Sequence, residues 1–520
     1  MLGIEDLNNP LVTTMNFYKT IEQAVRRKST KIAVESVSGD TYSYGQLDES
    51  VSRYVCALQS LGVMAGDRVI AQLEKSVSAL FLYLACLKGG YIFVPLNTAY
   101  RKDELAYFIE DAQPKLFVTS ANRLEEVSGL MDAATSGRVA VLDGSLDNSI
   151  ASLAAAQTGY GTAIKLRDEE VAVIVYTSGT TGRSKGAMVS HGNLISNART
   201  LIKLWRFSDK DVLIHALPIF HVHGLFVANH CALSVGAKIH WLPKFDVDAI
   251  INILPESTVM MGVPTFYTRL LSSPRLKNNM CSNMRLFISG SAPLLSDTHK
   301  KFEEKTGHRI LERYGMSEAG MITSNPYDKE RKPGTVGQPL SDVEVRIVDD
   351  GDNVLASGEK GNIQVRGPNV FSGYWRMPEK TKEEFAPGNW FRTGDIGELD
   401  ADGYLTIVGR SKDLVISGGY NVYPKEVEIE LDANSNIAES AVFGVPHPDF
   451  GEAVTAAIVL REGCSVDADA ILEDLKVKLA NFKLPKRIHI VQELPRNAMG
   501  KIQKTVLRDI YKNDWGSALG

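Results

Sequence analysis

At 520 residues the chain exceeds what one hydrophobic core supports, so at least two domains are expected. A hydrophobic fraction of 44%, a charged fraction of 23% and a formal net charge of −5 argue against a nucleic-acid binder held by a broad basic surface, and for small-molecule chemistry. Five scattered cysteines, Cys56, Cys86, Cys231, Cys281 and Cys464, show no CxxC spacing; they suggest neither a disulfide framework nor a zinc site and point to a reducing compartment. The first twenty residues carry Glu5 and Asp6 and no apolar core, and the longest apolar run, residues 79–87, is too short to cross a bilayer. A cytoplasmic enzyme without a membrane span is expected; the oligomeric state is left open.

From residue 31 strand and helix patterns alternate: KIAVESV, a helix with Leu47, Val51, Tyr54, Val55, Leu58 and Leu61 on one face, DRVIAQL, a helix over 77–88, YIFVPLN, a helix over 104–112, and KLFVTS. This βαβ rhythm predicts a mainly parallel sheet covered on both faces, with ligands at the carboxyl ends of its strands. The strand VAVIVY then runs into YTSGTTGRSKG, residues 176–186. Gly179, Gly182 and Gly186 offer unhindered backbone N–H groups, Thr177, Ser178, Thr180, Thr181 and Ser184 offer hydroxyls, and Arg183 and Lys185 offer charge. A polyphosphate cradle needs that composition, although the spacing is not that of a P-loop.

A helix over 193–204 follows, then DVLIHALPIFHVHGL, a strand entering a His-bearing turn and a helix to Leu233, and the strands KIHWLP, TVMMGVP and RLFISG. In ERYGMSEAG, residues 312–320, Tyr314 suits an adenine face, Ser317 a phosphate, and Glu318 a Mg²⁺ ion; taken alone, such a Glu is usually solvated. Residues 334–410 change to short strands, VEVRIVDD, GNIQVRG and GYLTIVG, with Asp-Gly turns at 350 and 402, which predicts a small barrel or twisted sheet. Within it WFRTGD places Asp395 after a Thr-Gly turn, suited to ribose hydroxyls or to capping its own backbone, with Arg410 in reach of ribose or phosphate. The fold class is α/β. Its large N-terminal domain, 1–410, has layered α/β halves over about 1–330 and a β-rich part over 331–410, and an α+β domain covers 411–520.

YTSGTTGRSKG, ERYGMSE, WFRTGD, GRSKDLVISGGYNVYP and PRNAMGK, in that order and over essentially the whole chain, resemble the motif set of the acyl-CoA synthetases among adenylate-forming enzymes. The resemblance implies ATP, Mg²⁺ and CoA. Thr177, Ser178, Gly179, Thr180, Thr181 and Lys185 would hold the β- and γ-phosphates. Gly290, Ser291, Ala292 and Pro293 would frame adenine with Arg313 and Tyr314, and Gly315 and Met316 belong to the same ATP-binding turn. Ser317 and Glu318 would bind α-phosphate and Mg²⁺, with Thr181 a further metal contact; Asp395 and Arg410 would hold ribose. Lys501 would bridge the substrate carboxylate and the α-phosphate in the transition state. The C-terminal domain would be mobile about a hinge at Lys412, bringing Gly418 and Gly419 to line the pantetheine tunnel.

For a fatty acid the region between HVHG and GSAP would be wholly apolar. It holds His221, His223, Lys244, Arg269, Arg285 and Ser289. Arg285, at the start of MRLFISGSAP, is expected at the pocket floor, binding a second carboxylate through two parallel hydrogen bonds; the alternative is a structural arginine paired with a protein carboxylate. ALPIFHVHGLFVANH, LPKFD, MGVPTFYTRLL, ERYGMSEAG and GPNVFSGYWRMPEKT extend the resemblance to family members that activate a short dicarboxylate, and imply malonate, with methylmalonate as a second substrate. Arg285 would then be helped by Ser289 and by His221 or His223, with Met316 limiting pocket length and His221 also acting as a catalytic gate. Another short-chain or aryl acyl-CoA ligase, an adenylation enzyme loading a carrier protein, and a nucleotide-binding regulator stay open as alternatives.

Overall fold

A computed structural model of the chain describes residues 16–143, 149–177, 184–417, 420–447, 449–497 and 500–515. The chain forms two compact units, Met1–Glu344 with Arg366–Phe385, and Val345–Val365 with Ala386–Gly520. Ser178, Gly179, Thr180, Thr181, Gly182 and Arg183 of the expected phosphate cradle, and Gly418 and Gly419 of the expected CoA tunnel, lie outside the described residues.

The first unit holds two sheets. One runs Arg138–Val141, Leu116–Thr119, Arg68–Ala71, Ile92–Pro95, Val171–Thr177, Lys185–Ser190; its first five strands are parallel and the last turns back antiparallel on Val171–Thr177. Ile92–Pro95 and Leu116–Thr119 are buried at every position, as strands covered on both faces must be. Between Arg68–Ala71 and Ile92–Pro95, the helix Val77–Gly89 is buried from Ala79 onward, which explains its unbroken apolar run; the Ser76 hydroxyl caps its start and Gly90, at φ +71°, ends it.

The other sheet has nine strands, in the order Gln338–Pro339, Gly320–Ser324, Leu311–Met316, Leu286–Ser289, Val259–Gly262, Val212–His215, Lys238–Trp241, Ile32–Ser36, Thr41–Ser43. Its central six are parallel and its ends are antiparallel. The rhythm of the N-terminal hundred residues suggests that Ile32–Ser36 opens the first sheet. It lies instead beside Lys238–Trp241, with Val34 opposite Ile239, so the two α/β halves are not contiguous in sequence. Tyr44, whose hydroxyl donates to the Ala237 carbonyl at 2.7 Å, ties the following helix Tyr44–Ser60 to that sheet. The His-bearing stretch also differs from the single expected helix. A π-helix, His223–Ala228, precedes the α-helix Asn229–Val235, a local widening that often accompanies functional sites.

The second unit holds two five-stranded sheets. In one, Trp390–Leu399 pairs antiparallel with both Gly361–Arg366 and Leu405–Arg410. The WFRTGD segment is therefore a strand rather than a chain reversal; Gly394, at φ +71°, kinks it without ending it. In the other sheet the long hairpin Ile437–His447 and Gly451–Leu460 is buried on both faces: Val442, Val454 and Ile458 pack with the helices Pro424–Asp432 and Ala468–Lys476, while Phe443, Ala453 and Ala457 pack with Leu494 and Leu507. Among the described residues no helix is long and apolar enough to cross a membrane.

Candidate active site

The carboxyl ends of the parallel strands gather the motifs of the first unit. Thr177, which ends Val171–Thr177, donates its hydroxyl to Glu318 Oε1 at 3.2 Å, so the threshold of the YTSGTTGRSKG stretch meets the ERYGMSEAG turn directly. Glu318 is 6% exposed, and its position is fixed twice more: the Tyr374 hydroxyl donates to Oε1 at 3.1 Å, and the Glu318 carbonyl accepts from Phe371 N–H at 2.7 Å. The turn that carries it is tight. A Cβ on Gly315 would stand 2.2 Å from the Gly320 carbonyl oxygen, so only glycine fits there.

Lys185, on the far side of the undescribed stretch, is buried against the same segment; its Nζ donates to Glu384 Oε1 at 3.1 Å and lies 4.2 Å over the Tyr374 ring. Both stems are pinned from the helix Lys102–Ala112: the Tyr107 hydroxyl donates to the Ser184 carbonyl at 2.6 Å, and the Tyr176 hydroxyl to Asp111 Oδ2 at 2.5 Å. Tyr374, Glu384, Tyr107 and Asp111 have no role in the sequence reading. The GYWRMPEKT wording contains the first, but nothing in it reveals a partner fifty-six residues away.

Arg285 is not at a pocket floor. It precedes the strand Leu286–Ser289, at the end of the sheet opposite the motif-bearing loops, and its guanidinium grips Asp211 with two bonds, Nε to Oδ1 at 2.7 Å and Nη2 to Oδ2 at 2.8 Å. A third bond goes to the Trp205 carbonyl at 2.9 Å. Burial alone would raise the Asp211 pKa, but Arg285, the Ser208 N–H and the Thr258 hydroxyl hold it below its ordinary value. The structural alternative for this arginine holds.

Arg313, in the strand Leu311–Met316, is a buried arginine of the same unit. It is 4% exposed and runs beneath Gly290, the first residue of the GSAP segment, where an added Cβ would sit 2.4 Å from Cζ. Nε and Nη2 have no hydrogen-bond partner, and among the described residues no carboxylate pairs with it; burial pushes its pKa down to about 9. Ser291, held at φ +71°, brings its hydroxyl to 3.3 Å from His223 Nδ1. Burial first, then Arg313 and His221, hold His223 far below its ordinary pKa, so it is neutral; Nδ1 shares a hydrogen bond with the Ser291 hydroxyl, and Nε2 is buried without a partner. The His221 ring accepts from the His223 N–H at 3.4 Å. Ser289 has a buried, unpaired hydroxyl, but strand alternation turns it to the face opposite Gly290 and Arg313. Tyr314, Gly315, Met316 and Ser317 are half-buried along the end of Leu311–Met316 and its turn, and Ser317 lines a small cavity with Val222, Phe226 and His230.

In the second unit Asp395 and Arg410 face each other across paired strands, Oδ1 to Nε at 2.9 Å. Lys412 lies in the short turn Ser411–Asp413. Lys501 follows a tight turn closed by Gly500 N–H to the Asn497 carbonyl at 2.8 Å and by Asn497 N–H to the Lys501 carbonyl at 2.9 Å. Its side chain reaches solvent, yet protein atoms crowd it. Desolvation and then Arg410 push its pKa down to about 8, against the opposing pull of Asp395 and Asp413.

Glu318 and Thr177 offer hard oxygens of the kind magnesium takes, and among the described residues no three His, Cys, Asp or Glu side chains gather into a metal cluster.

Comparison with known proteins agrees with this assembly. A family model described as AMP-binding enzyme matches residues 21–375, and one described as AMP-binding enzyme C-terminal domain matches 426–501. The solved ATP-bound MatB from Rhodopseudomonas palustris is 50% identical, with a TM-score of 0.93 over 96% of this chain and 100% of that one. A malonate–CoA ligase of Arabidopsis thaliana is 34% identical over 96% of this chain and 89% of its own length, and a mitochondrial malonate–CoA ligase of Mus musculus is 35% identical over 92% and 89%.

Proposed function

From the premise that the chain belongs to the AMP-binding enzyme family, we propose that it is an ATP-dependent acid–CoA ligase that converts malonate, and methylmalonate as a second substrate, to the CoA thioester. The observation that carries the choice of acid is Arg313: a buried guanidinium with no carboxylate partner among the described residues asks for an anionic ligand, and the substrate's second carboxylate supplies it through two parallel bonds. His223, in the tautomer that carries its hydrogen on the unpartnered Nε2, is a further donor to it.

One substrate carboxylate attacks the α-phosphorus of ATP, pyrophosphate leaves, and the CoA thiol then displaces AMP from the acyl-AMP. The attacking group is already an anion, so positioning and charge stabilisation carry the catalysis. The YTSGTTGRSKG stretch and Lys185 hold the departing phosphates, Glu318 with Thr177 would hold magnesium, Asp395 and Arg410 take ribose, and Lys501 meets the charge that develops at the α-phosphate. Magnesium, when bound, neutralises charge on the phosphate oxygens. Lys412 serves as the hinge of a mobile domain over 411–520, Gly418 and Gly419 line the path of pantetheine, and the cytoplasm is the compartment, in keeping with five free cysteines. Exchange of labelled pyrophosphate into ATP, stimulated by malonate alone, with AMP accumulating only when CoA is added, tests this reading. Stimulation by a carrier protein in place of CoA would overturn it.

Two variants separate the site from its scaffold. Arg285→Leu leaves Asp211 buried and unpaired; it is expected to cost about 3–5 kcal/mol of stability, seen as a lower thermal midpoint, while the preference among acids is unchanged. Tyr374→Phe keeps the ring over Lys185 and removes only the bond to Glu318. Initial rates at varied MgATP should show kcat/KM reduced roughly tenfold, with KM for malonate little altered.

A further inference from the structure

Lys75 lies between the strand Arg68–Ala71 and the helix Val77–Gly89, outside every motif assigned above. Lysines ordinarily lead their charge out to water. This one is 8% exposed and meets neutral groups: Nζ donates to His215 Nδ1 and to the His215 carbonyl, both at 2.8 Å, and lies 4.4 Å over the Trp241 ring. Among the described residues no carboxylate pairs with it. Burying an ammonium in this way is costly, and an anion brought into the neighbourhood offsets the cost.

His215 passes the constraint onward. With Nδ1 accepting from Lys75, the ring hydrogen resides on Nε2, which donates to the Gly224 carbonyl at 2.9 Å. Gly224 follows His223 in the first turn of the π-helix His223–Ala228, and the chain there is folded so tightly that a Cβ would stand 2.2 Å from the Pro218 carbonyl oxygen. The amine of Lys75, the ring of His215 and the carbonyl of Gly224 thus form one line of bonds ending beside His223, whose Nε2 is buried without a partner near Arg313.

We propose that Lys75 is a positioning residue for the second carboxylate of the substrate, fixing His223 through His215 and the Gly224 turn. It rests on the dicarboxylate reading of Arg313. It also makes selectivity for that carboxylate depend on a lysine distant in sequence from the adenylation motifs.

The test compares wild type, Lys75→Met and Lys75→Gln, with kcat and KM measured for malonate, for butyrate and for ATP. Lys75→Met should raise KM for malonate about tenfold, leave kcat/KM for butyrate within about twofold and leave KM for ATP unchanged. Lys75→Gln, which restores a donor to His215, should recover part of the loss and carries the comparison if the methionine variant does not fold. Equal losses on malonate and butyrate, or no loss on either, would overturn the proposal. Wild type that turns over butyrate as well as malonate would overturn the dicarboxylate reading, whereas wild type that prefers malonate and a Lys75→Met variant that keeps the preference would overturn Lys75 alone.

Discussion

An Arg313→Met variant is expected to lose roughly a hundred- to a thousandfold in kcat/KM for malonate while keeping its KM for ATP within about threefold. The size of the loss follows from burial. A guanidinium that is 4% exposed makes its bonds to a carboxylate in a medium that screens poorly, and removing it leaves the bound carboxylate desolvated with no counter-charge. Its effect on stability should have the opposite sign. In the unliganded protein Nε and Nη2 have no partner and burial lowers the pKa to about 9, so the native fold bears the cost of an uncompensated cation; methionine removes that cost and should raise the thermal midpoint. Melting curves and a malonate rate series on the same preparation read both. A variant that melts earlier and also loses ATP binding would mean that Arg313 is a structural strut.

Lys501→Met should reduce ATP–pyrophosphate exchange by roughly a hundred- to a thousandfold, the usual effect of losing a group that meets transition-state charge. The wild-type pH profile carries a signature of the same group. Desolvation and Arg410 lower the ammonium's pKa to about 8, so the required cation is present at neutral pH and is lost as pH rises through that value. The kcat/KM profile should therefore bend downward on the alkaline side near 8, and replacing Lys501 by methionine should abolish the bend together with most of the activity. Thioester formation from preformed malonyl-AMP should survive the change, which separates a failure of adenylation from general damage.

Much of this site is legible in the sequence because its chemistry is local. A β-branched run followed by Gly, Ser and Thr residues announces Thr177 at a strand end, and ERYGMSE announces a carboxylate on a turn; the fold then brings Thr177 and Glu318 within 3.2 Å of each other. Partner choice across the chain is not legible. Arg285 and Arg313 both lie in apolar stretches near a strand, and only the register and the packing reveal that Asp211, seventy-four residues upstream, saturates one and that no carboxylate among the described residues saturates the other. The same limit hides the pairing of Ile32–Ser36 with Lys238–Trp241, since local alternation specifies a parallel strand but not its neighbour. It also hides Lys75, because burial without a counter-ion has no local signature.

The most direct measurement is a comparison of kcat/KM for malonate and butyrate with MgATP and CoA, read as AMP formation. The two acids are of similar size, and only malonate has a second carboxylate to satisfy Arg313. A site built around a buried guanidinium should favour malonate by about a thousandfold or more, because an acid lacking that group leaves the cation desolvated and unpaired. Equal turnover of butyrate and malonate would contradict the account.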